Sequence, residues 1–153
     1  MTVTERLAEL GITLPAPTAP MGSYVPARRA GALLHVSGHL GKRGGRVVNG
    51  RVGEDLNVEE AHQLARSLAL DLVATAAEAA GGADRLAGVV KLVGFVRGAA
   101  GFDQQPAVVN GASARLVEIF GEAGRHARSA IGVAELPLGA ALEIEAIFLL
   151  TEP

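Results

Sequence analysis

The chain contains three apolar, β-rich segments but only two long helical patterns, and this imbalance limits the possible folds. The three segments are 88–96 (GVVKLVGFV), 127–136 (ARSAIGVAEL) and 141–150 (ALEIEAIFLL). A nearly continuous apolar run is typical of a strand that is covered on both faces. Two helices can cover only one face of the sheet, so we expect a second copy of the chain to cover the other.

The two helical patterns have apolar faces built largely from small residues. The first begins at the capping pair Asn57 and Glu60 and ends at Gly81, because a left-handed glycine commonly terminates a helix. The second is predicted to begin at an N-cap Asp103 and to end at Gly121. Three- and four-residue spacing defines the two faces, which are Ala61, Leu64, Leu68, Leu72 and Ala76, and then Val109, Ala112, Leu116 and Phe120.

The amino-terminal third is predicted to contain an extension and a β-hairpin. Residues 1–20 are predicted to form an amino-terminal extension, and residues 21–153 the main domain. The extension should contain a short capped helix followed by an extended PAPTAP segment at 15–20. Residues 32–38 predict a strand, and 46–52 predict its returning partner across a Gly44–Gly45 turn, although Asn49–Gly50 is an alternative turn. The final two strands should form a hairpin across a Pro137/Gly139 turn. The predicted order is therefore β-β-α-β-α-β-β, an α+β sheet with both helices on one face.

Composition excludes several classes of protein. The chain has no cysteine, which removes disulfides, thiol nucleophiles and thiolate metal sites. Its net charge is −2 and only 3% of its residues are aromatic, whereas a nucleic-acid-binding domain usually has a basic surface and stacking aromatics. No apolar run is long enough to span a membrane and no secretory leader is visible, so we expect a cytoplasmic protein. The four histidines lack metal-ligand spacing, and we predict neither a metal nor a cofactor.

Charged residues on the predicted final strands are the first candidates for chemistry. Arg128 shares its strand face with Ala130 and Gly132, so it has room to bind a carboxylate bidentately. Glu143 and Glu145 share one face of the last strand, where one of them could position a water or transfer a proton. The alternative for all three is a structural network of ion pairs, in which Arg128 and Lys91 are the partners of the two glutamates.

Two polar residues are weaker candidates. Ser37, in Ser37-Gly38-His39, lacks the surroundings of a nucleophilic serine, so a hydrogen-bonding role is favoured. Asn110 lies inside the second predicted helix, where asparagine is a poor helix former. It either reaches a neighbouring strand or is simply an exposed polar residue.

Several segments together resemble the RidA/YjgF family, also called the L-PSP endoribonuclease family. The most specific is the stretch from Arg128 to Ile147, RSAIGVAELPLGAALEIEAI, which is similar to the family's closing segment. In the expected order, the chain also has GSYVP (22–26), VSGHL (36–40), VKLVGFV (90–96) and VNGA (109–112). The resemblance covers about residues 20–150.

The resemblance implies a chorismate-mutase-like fold, a homotrimer and clefts between subunits that hydrolyse enamine or imine intermediates to 2-oxo acids and ammonia. Arg128 matches the arginine that binds the substrate carboxylate, and Glu143 matches the acid that positions the attacking water. The other matched positions are the cleft residues Tyr24, Ser37 and Gly38, the backbone amide of Ala130, and Asn110 near the cleft. The implied partners are a small carboxylate-bearing substrate and two further copies of the chain, with neither a membrane nor a nucleic acid.

The sequence departs from the family pattern at two cleft positions. The usual Ser-Gly-Gln is Ser-Gly-His here, with His39 in third place, and a frequent cysteine is replaced by Ala130. The extension 1–20 and a longer 41–56 insert resemble a less characterised branch of the family. Two other hypotheses therefore remain: a non-catalytic trimer that binds a carboxylate metabolite, and an endoribonuclease, which the acidic net charge disfavours.

Overall fold

The computed structural model describes residues 1–17 and 19–153, and its main element is a five-stranded sheet with two long helices on one face. The sheet strands are β1 (Ala27–Ala30), β2 (Leu33–Leu40), β5 (Leu86–Arg97), β6 (Ala127–Val133) and β7 (Leu142–Leu150). A small separate hairpin contains β3 (Lys42–Arg43) and β4 (Arg46–Val47). The helices are α1 (Val3–Glu9), α2 (Val58–Ala80) and α3 (Gln105–Phe120).

The strand order is β1-β2-β7-β5-β6, so the last strand in the sequence lies at the centre of the sheet. β7 pairs antiparallel with both β2 and β5, while β6 pairs parallel with β5 alone. The predicted hairpin between the final two strands is therefore wrong. The connection across Pro137 and Gly139 is long enough to carry the chain past β5 rather than turn it back beside β6.

The predicted partner of the first long strand is also wrong. β2 pairs with β1, a short strand of sequence ARRA that precedes it, in the register Ala27 to Val36. The glycines Gly44 and Gly45 do form a turn, but they connect only the two-residue strands β3 and β4. The α+β class and the β-β-α-β-α-β-β order of the main elements are confirmed, with β1 and β2 as the opening pair.

Both long helices have the predicted apolar faces. Asn57 caps α2 by accepting a hydrogen bond from the backbone of Glu60, and Gly81 ends the helix at φ 87°. α3 is capped at Gln104 rather than at Asp103, without a side-chain hydrogen bond. In the described ranges, no helix is both long and apolar enough to cross a membrane.

Burial alternates along β7, and this alternation defines the two faces of the sheet. Five residues of β7 are buried under the helices, namely Leu142, Ile144, Ala146, Phe148 and Leu150. The intervening residues are only partly covered or exposed, and they are Glu143, Glu145, Ile147 and Leu149. We call this second side the open face; Val93 and Phe95 of β5 and Ile131 of β6 continue it.

The amino-terminal helix packs against the same core as the rest of the chain. Thr2 caps α1 in the predicted capping box with Glu5, and Leu7 is buried. The Arg6 guanidinium donates to the backbone oxygen of Glu118 at the end of α3, at 2.8 Å. A division at residue 20 remains a prediction, and the proposed extended segment 15–20 includes Thr18, which lies outside the described residues.

Close packing of α2 on α3 depends on Gly111. A methyl group at that position would lie 2.1 Å from the backbone oxygen of His62 in α2. We predict that Gly111→Ala destabilises the protein by about 1–3 kcal/mol, because the two helices must separate to admit one carbon. Chemical denaturation measures the change, and the exposed helix position Ala114 supplies the control.

Helix propensity alone predicts the opposite sign for the Gly111 variant, since alanine favours a helix over glycine by about 1 kcal/mol. Ala114→Gly should follow that propensity and destabilise the protein modestly. A Gly111→Ala variant more stable than the parent would contradict the close helix contact.

Candidate functional site

A cleft of about 280 Å³ opens beside the end of β2 and brings together four of the predicted site residues. Tyr24, Ser37, Gly38 and Glu143 all line it. The remaining lining residues are Ala19, Pro20, Met21, Pro26, His39, Leu40, Lys42 and Pro137. The cleft therefore combines one carboxylate, one lysine and one tyrosine with mostly apolar walls.

A β-bulge shapes the wall of this cleft at Ser37 and Gly38. β2 pairs Val36 with Ala146 but His39 with Ile144, so β2 contains one more residue than β7 over this interval. A methyl group at Gly38 would lie 3.1 Å from the carboxyl carbon of Glu143. Glycine is thus the residue that lets the Glu143 carboxyl lie close against the bulge.

Hydrogen bonds fix the segment that contains the only tyrosine. The Ser37 hydroxyl donates to the backbone oxygen of Val25 at 2.7 Å, and the Ser37 amide donates to Pro26 at 2.9 Å. The Tyr24 hydroxyl accepts a hydrogen bond from the Met21 amide at 3.2 Å, and the tyrosine is 48% exposed. Ser37 therefore anchors the Tyr24 segment, as a hydrogen-bonding role predicts, while the Tyr24 hydroxyl proton remains available to a ligand.

Glu143 is the acidic group of the cleft. Burial raises the pKa of its carboxyl, and the neighbouring charge of Glu145 raises that pKa further. Among the described residues, no ion pair includes Glu143 or Glu145. A partly desolvated carboxylate without a cationic partner is a stronger base than an ordinary glutamate, and it can accept a proton from a bound water.

His39 supports the bulge from inside the fold. Its Nδ1 lies 2.7 Å from the Ser37 backbone oxygen, and its Nε2 lies 2.8 Å from the Thr75 hydroxyl in α2. Because a carbonyl oxygen only accepts, Nδ1 carries the proton and the neutral Nε2 accepts from Thr75. Burial lowers the pKa of His39, which favours this neutral form.

Arg128 belongs to a second group of residues, on the edge strand β6. Its Nη1 donates to Asn110 Oδ1 at 2.7 Å and lies 3.3 Å from the Ser113 hydroxyl, both residues being in α3. Asn110 is exposed and also reaches β6 through this contact, so both descriptions of the residue hold. Ala130 follows on the same side of β6 and packs against the core, and an edge strand leaves one row of backbone groups without a partner in its sheet.

The two groups lie apart within one chain. Arg128 points toward α3 on the helix-covered face, whereas Glu143 lies on the open face of β7. β5 separates their strands. Among the described residues of one chain, no ion pair joins Arg128 or Lys91 to Glu143 or Glu145. Burial lowers the pKa of the Arg128 guanidinium, although an arginine remains charged in proteins.

Sequence reasoning missed three residues that support these groups: Thr75, Ser113 and His126. Ser113 follows Asn110 by three positions, and that helical spacing places both side chains on one face. This signal was available in the sequence. The contacts of Thr75 and His126 depend on tertiary packing over 36 and 13 residues, respectively, and no local pattern marks them.

The neutral state of His39 predicts an acid-sensitive stability. The unfolded chain binds a proton at the ordinary histidine pKa of about 6.5, whereas the folded chain resists protonation, so stability falls as the pH drops below that value. Burial shifts the pKa of His126 in the same direction. The raised pKa values of Asp71 and Glu143 oppose this trend, so the histidine variant is needed to isolate the contribution of His39.

We therefore predict that the melting temperature falls between pH 7.5 and 5.5, and that His39→Gln reduces the slope. Glutamine keeps one donor and one acceptor but does not titrate. His35→Gln, at an exposed position of the same strand, is the matched control. Equal slopes for the parent and His39→Gln would show that His39 is not held neutral.

Comparison with known proteins places this chain in a family. Residues 4–151 match the model of the YjgF/chorismate mutase-like endoribonuclease family. The chain is 46% identical over 147 residues to Protein TCP17 of Trypanosoma cruzi. The match covers 95% of this chain and 92% of that protein.

Two solved structures extend the similarity to the fold. The protein Atu1372 of Agrobacterium tumefaciens is 40% identical, with a TM-score of 0.87 over 99% of this chain and 94% of its own. A protein of Shewanella oneidensis is 30% identical, with a TM-score of 0.92 over 98% of this chain and 100% of its own. The chain therefore belongs to the YjgF/chorismate mutase-like endoribonuclease family.

Proposed function

We propose that this protein hydrolyses reactive 2-imino acids and their enamine forms to 2-oxo acids and ammonia, in clefts between the subunits of a homotrimer. The observation that supports this most directly is that the two candidate groups are separate and complementary. One holds a basic carboxylate in an apolar cleft, and the other holds an arginine at the sheet edge. Together they supply the two charges that the reaction uses.

The open face provides a reason for the subunits to assemble. Ile131 is 44% exposed and Leu149 is 39% exposed, on a face that also carries Val93, Phe95 and Ile147. Burial of such a face stabilises by about 25 cal/mol per Å² of apolar surface. In a closed ring of three, each subunit would place its Arg128 edge over the Glu143 cleft of its neighbour.

In such a cleft Arg128 anchors the substrate. A guanidinium matches a planar carboxylate with two parallel hydrogen bonds and so fixes the orientation of the attached imino carbon. The apolar walls and the half-exposed Tyr24 then surround the remainder of a small substrate. The Tyr24 hydroxyl, whose oxygen already accepts from Met21, has its proton free for the substrate.

Glu143 supplies the proton transfers. Its carboxylate accepts a proton from water while the water oxygen adds to the imino carbon, and the C=N bond becomes a C–N single bond. Glu143 passes that proton to the nitrogen, which gives a neutral carbinolamine and regenerates the carboxylate. The carboxylate then takes the hydroxyl proton as the carbonyl forms and delivers it to the departing nitrogen. The C–N bond breaks, ammonia leaves and the carboxylate is again regenerated. An imine is already electrophilic, so its hydrolysis requires neither a covalent nucleophile nor a bound cofactor.

The same residues would also serve a protein that binds a carboxylate metabolite without turnover. That protein would gain thermal stability from a 2-oxo acid but would not accelerate imine hydrolysis. RNA cleavage, the activity in the family's description, requires a surface that follows a chain of phosphates and stacks its bases. A small cleft with one aromatic residue suits a small acid better.

We predict that Glu143→Gln lowers kcat for 2-iminopropanoate hydrolysis about 10²- to 10⁴-fold, because the amide cannot accept the proton of water. Arg128→Ala should instead raise KM about 10- to 150-fold, because the charge-assisted hydrogen bonds to the substrate carboxylate are lost. An amino-acid oxidase generates the imine in the assay, and trapping with semicarbazide measures how much escapes hydrolysis.

The matched controls separate charge from fold. Glu145→Gln changes an exposed glutamate on the same face of the same strand. It removes only the smaller of the two causes that raise the pKa of Glu143, so kcat should stay within about twofold. Arg125→Ala removes an exposed arginine just before β6 and should leave KM unchanged. If catalytic amounts of the parent do not accelerate decay of the imine, the proposed function is wrong.

A further inference from the structure

A chain of three hydrogen bonds runs from the backbone of Gly124 to the guanidinium of Arg128. His126 Nδ1 lies 2.7 Å from the Gly124 oxygen, and His126 Nε2 lies 2.8 Å from the Ser113 hydroxyl oxygen. That hydroxyl oxygen in turn lies 3.3 Å from Arg128 Nη1. His126 and Ser113 are partly buried between α3 and the start of β6.

The carbonyl at one end determines the direction of every bond in this chain. Gly124 can only accept, so His126 Nδ1 carries the proton and the neutral Nε2 is an acceptor. Ser113 must therefore donate its single hydroxyl proton to His126. The lone pairs of the Ser113 oxygen then remain for Arg128, and the hydroxyl proton cannot turn toward the guanidinium.

The position of Ser113 controls which edge of Arg128 is free. Both of the acceptors that Arg128 contacts, Asn110 Oδ1 and Ser113 Oγ, lie at the same nitrogen, Nη1. Among the described residues, Nε and Nη2 of this arginine have no hydrogen-bond partner. These two nitrogens form the side-on fork that binds both oxygens of a carboxylate.

We propose that Ser113 and His126 are positioning residues that hold the Arg128 guanidinium with Nε and Nη2 presented to a ligand carboxylate. This rests on the carboxylate-binding part of the proposed function and assigns two residues that touch no substrate. His126 acts only through Ser113, and Ser113 acts only through Arg128. A long, flexible side chain at a sheet edge otherwise loses rotamer freedom when it binds, and prior ordering lowers that cost.

A purely structural role for this chain predicts different behaviour. The bond from His126 to Gly124 supports the turn before β6, and it remains when the Ser113 hydroxyl is removed. Ser113→Ala therefore removes the positioning contact and spares the local backbone bond. Ser113→Thr retains a hydroxyl at the same place and should restore the function.

The test is the dissociation constant for 2-oxobutanoate, measured by titration calorimetry on the full-length protein. We expect Ser113→Ala and His126→Phe each to weaken binding about 3- to 10-fold, and Ser113→Thr to remain within about twofold of the parent. In the imine assay, the same variants should raise KM with kcat nearly unchanged. His62→Phe is the matched control, because His62 also bonds a backbone oxygen, that of Ala107, but lies in α2.

Three results would overturn the proposal: parent-like binding by Ser113→Ala, failure of threonine to restore binding, or no binding of 2-oxobutanoate by the parent. Melting temperatures identify any variant that fails to fold, and the threonine variant still decides the question in that case. The protein could bind 2-oxobutanoate in a Ser113-dependent way and still fail to hydrolyse imines. That result would support the positioning role of Ser113 and reject the proposed turnover.

Discussion

The sheet has a helix layer on one face only, and the arrangement of the candidate site depends on that asymmetry. β7 buries five of its residues under α2 and α3, while its other residues, including Glu143, belong to the open face. A layer of apolar side chains left in water is unfavourable in proportion to its area. The open face carries the acidic half of the site, and in the proposed trimer neighbouring subunits would cover it.

Each half of the site is held by contacts that reach into the helix layer. Thr75 of α2 orders His39, which bonds the backbone of Ser37 in the bulge that lies against Glu143. Asn110 and Ser113 of α3 hold Arg128. The helices therefore do more than cover the sheet, since their side chains bond the Arg128 guanidinium and support the bulge beside Glu143.

The sequence predicts the local elements well because their signals are local. Capping pairs, a terminal glycine and the spacing of small apolar residues define α2, and β-rich runs define β5 and β7. Strand order is different, because alternation along a strand does not specify its neighbour. The segment 134–141 can extend to about 26 Å, whereas skipping one strand requires only about 10 Å. A segment of this length is compatible with both a hairpin and a crossover. In the structure the more apolar strand, β7, lies at the centre of the sheet.

The candidate site was predictable residue by residue but not as an arrangement. The resemblance identified Tyr24, Ser37, Gly38 and Glu143, which line one cleft, and Arg128 with Asn110, which lie elsewhere. That separation became visible only with the strand order. β1 escaped prediction because ARRA lacks β-branched and aromatic residues, and pairing with β2 alone makes it a strand.

The central claim is that the cleft of one subunit is completed by Arg128 of another, and subunit mixing tests it most directly. With imine well below the parental KM, Arg128→Ala is slow because its KM is raised, and Glu143→Gln is slow because its kcat is lowered. Co-expression of the two should form sites with Glu143 from one chain and Arg128 from its neighbour. Each restored site needs one variant on its Glu143 side and the other variant on its Arg128 side. Random assortment of equal amounts in a closed ring would therefore restore about one quarter of the sites. Recovery of imine hydrolysis near that level is the predicted result. Co-purified mixed oligomers that remain as slow as the variants alone, at the same low substrate concentration, would contradict the claim.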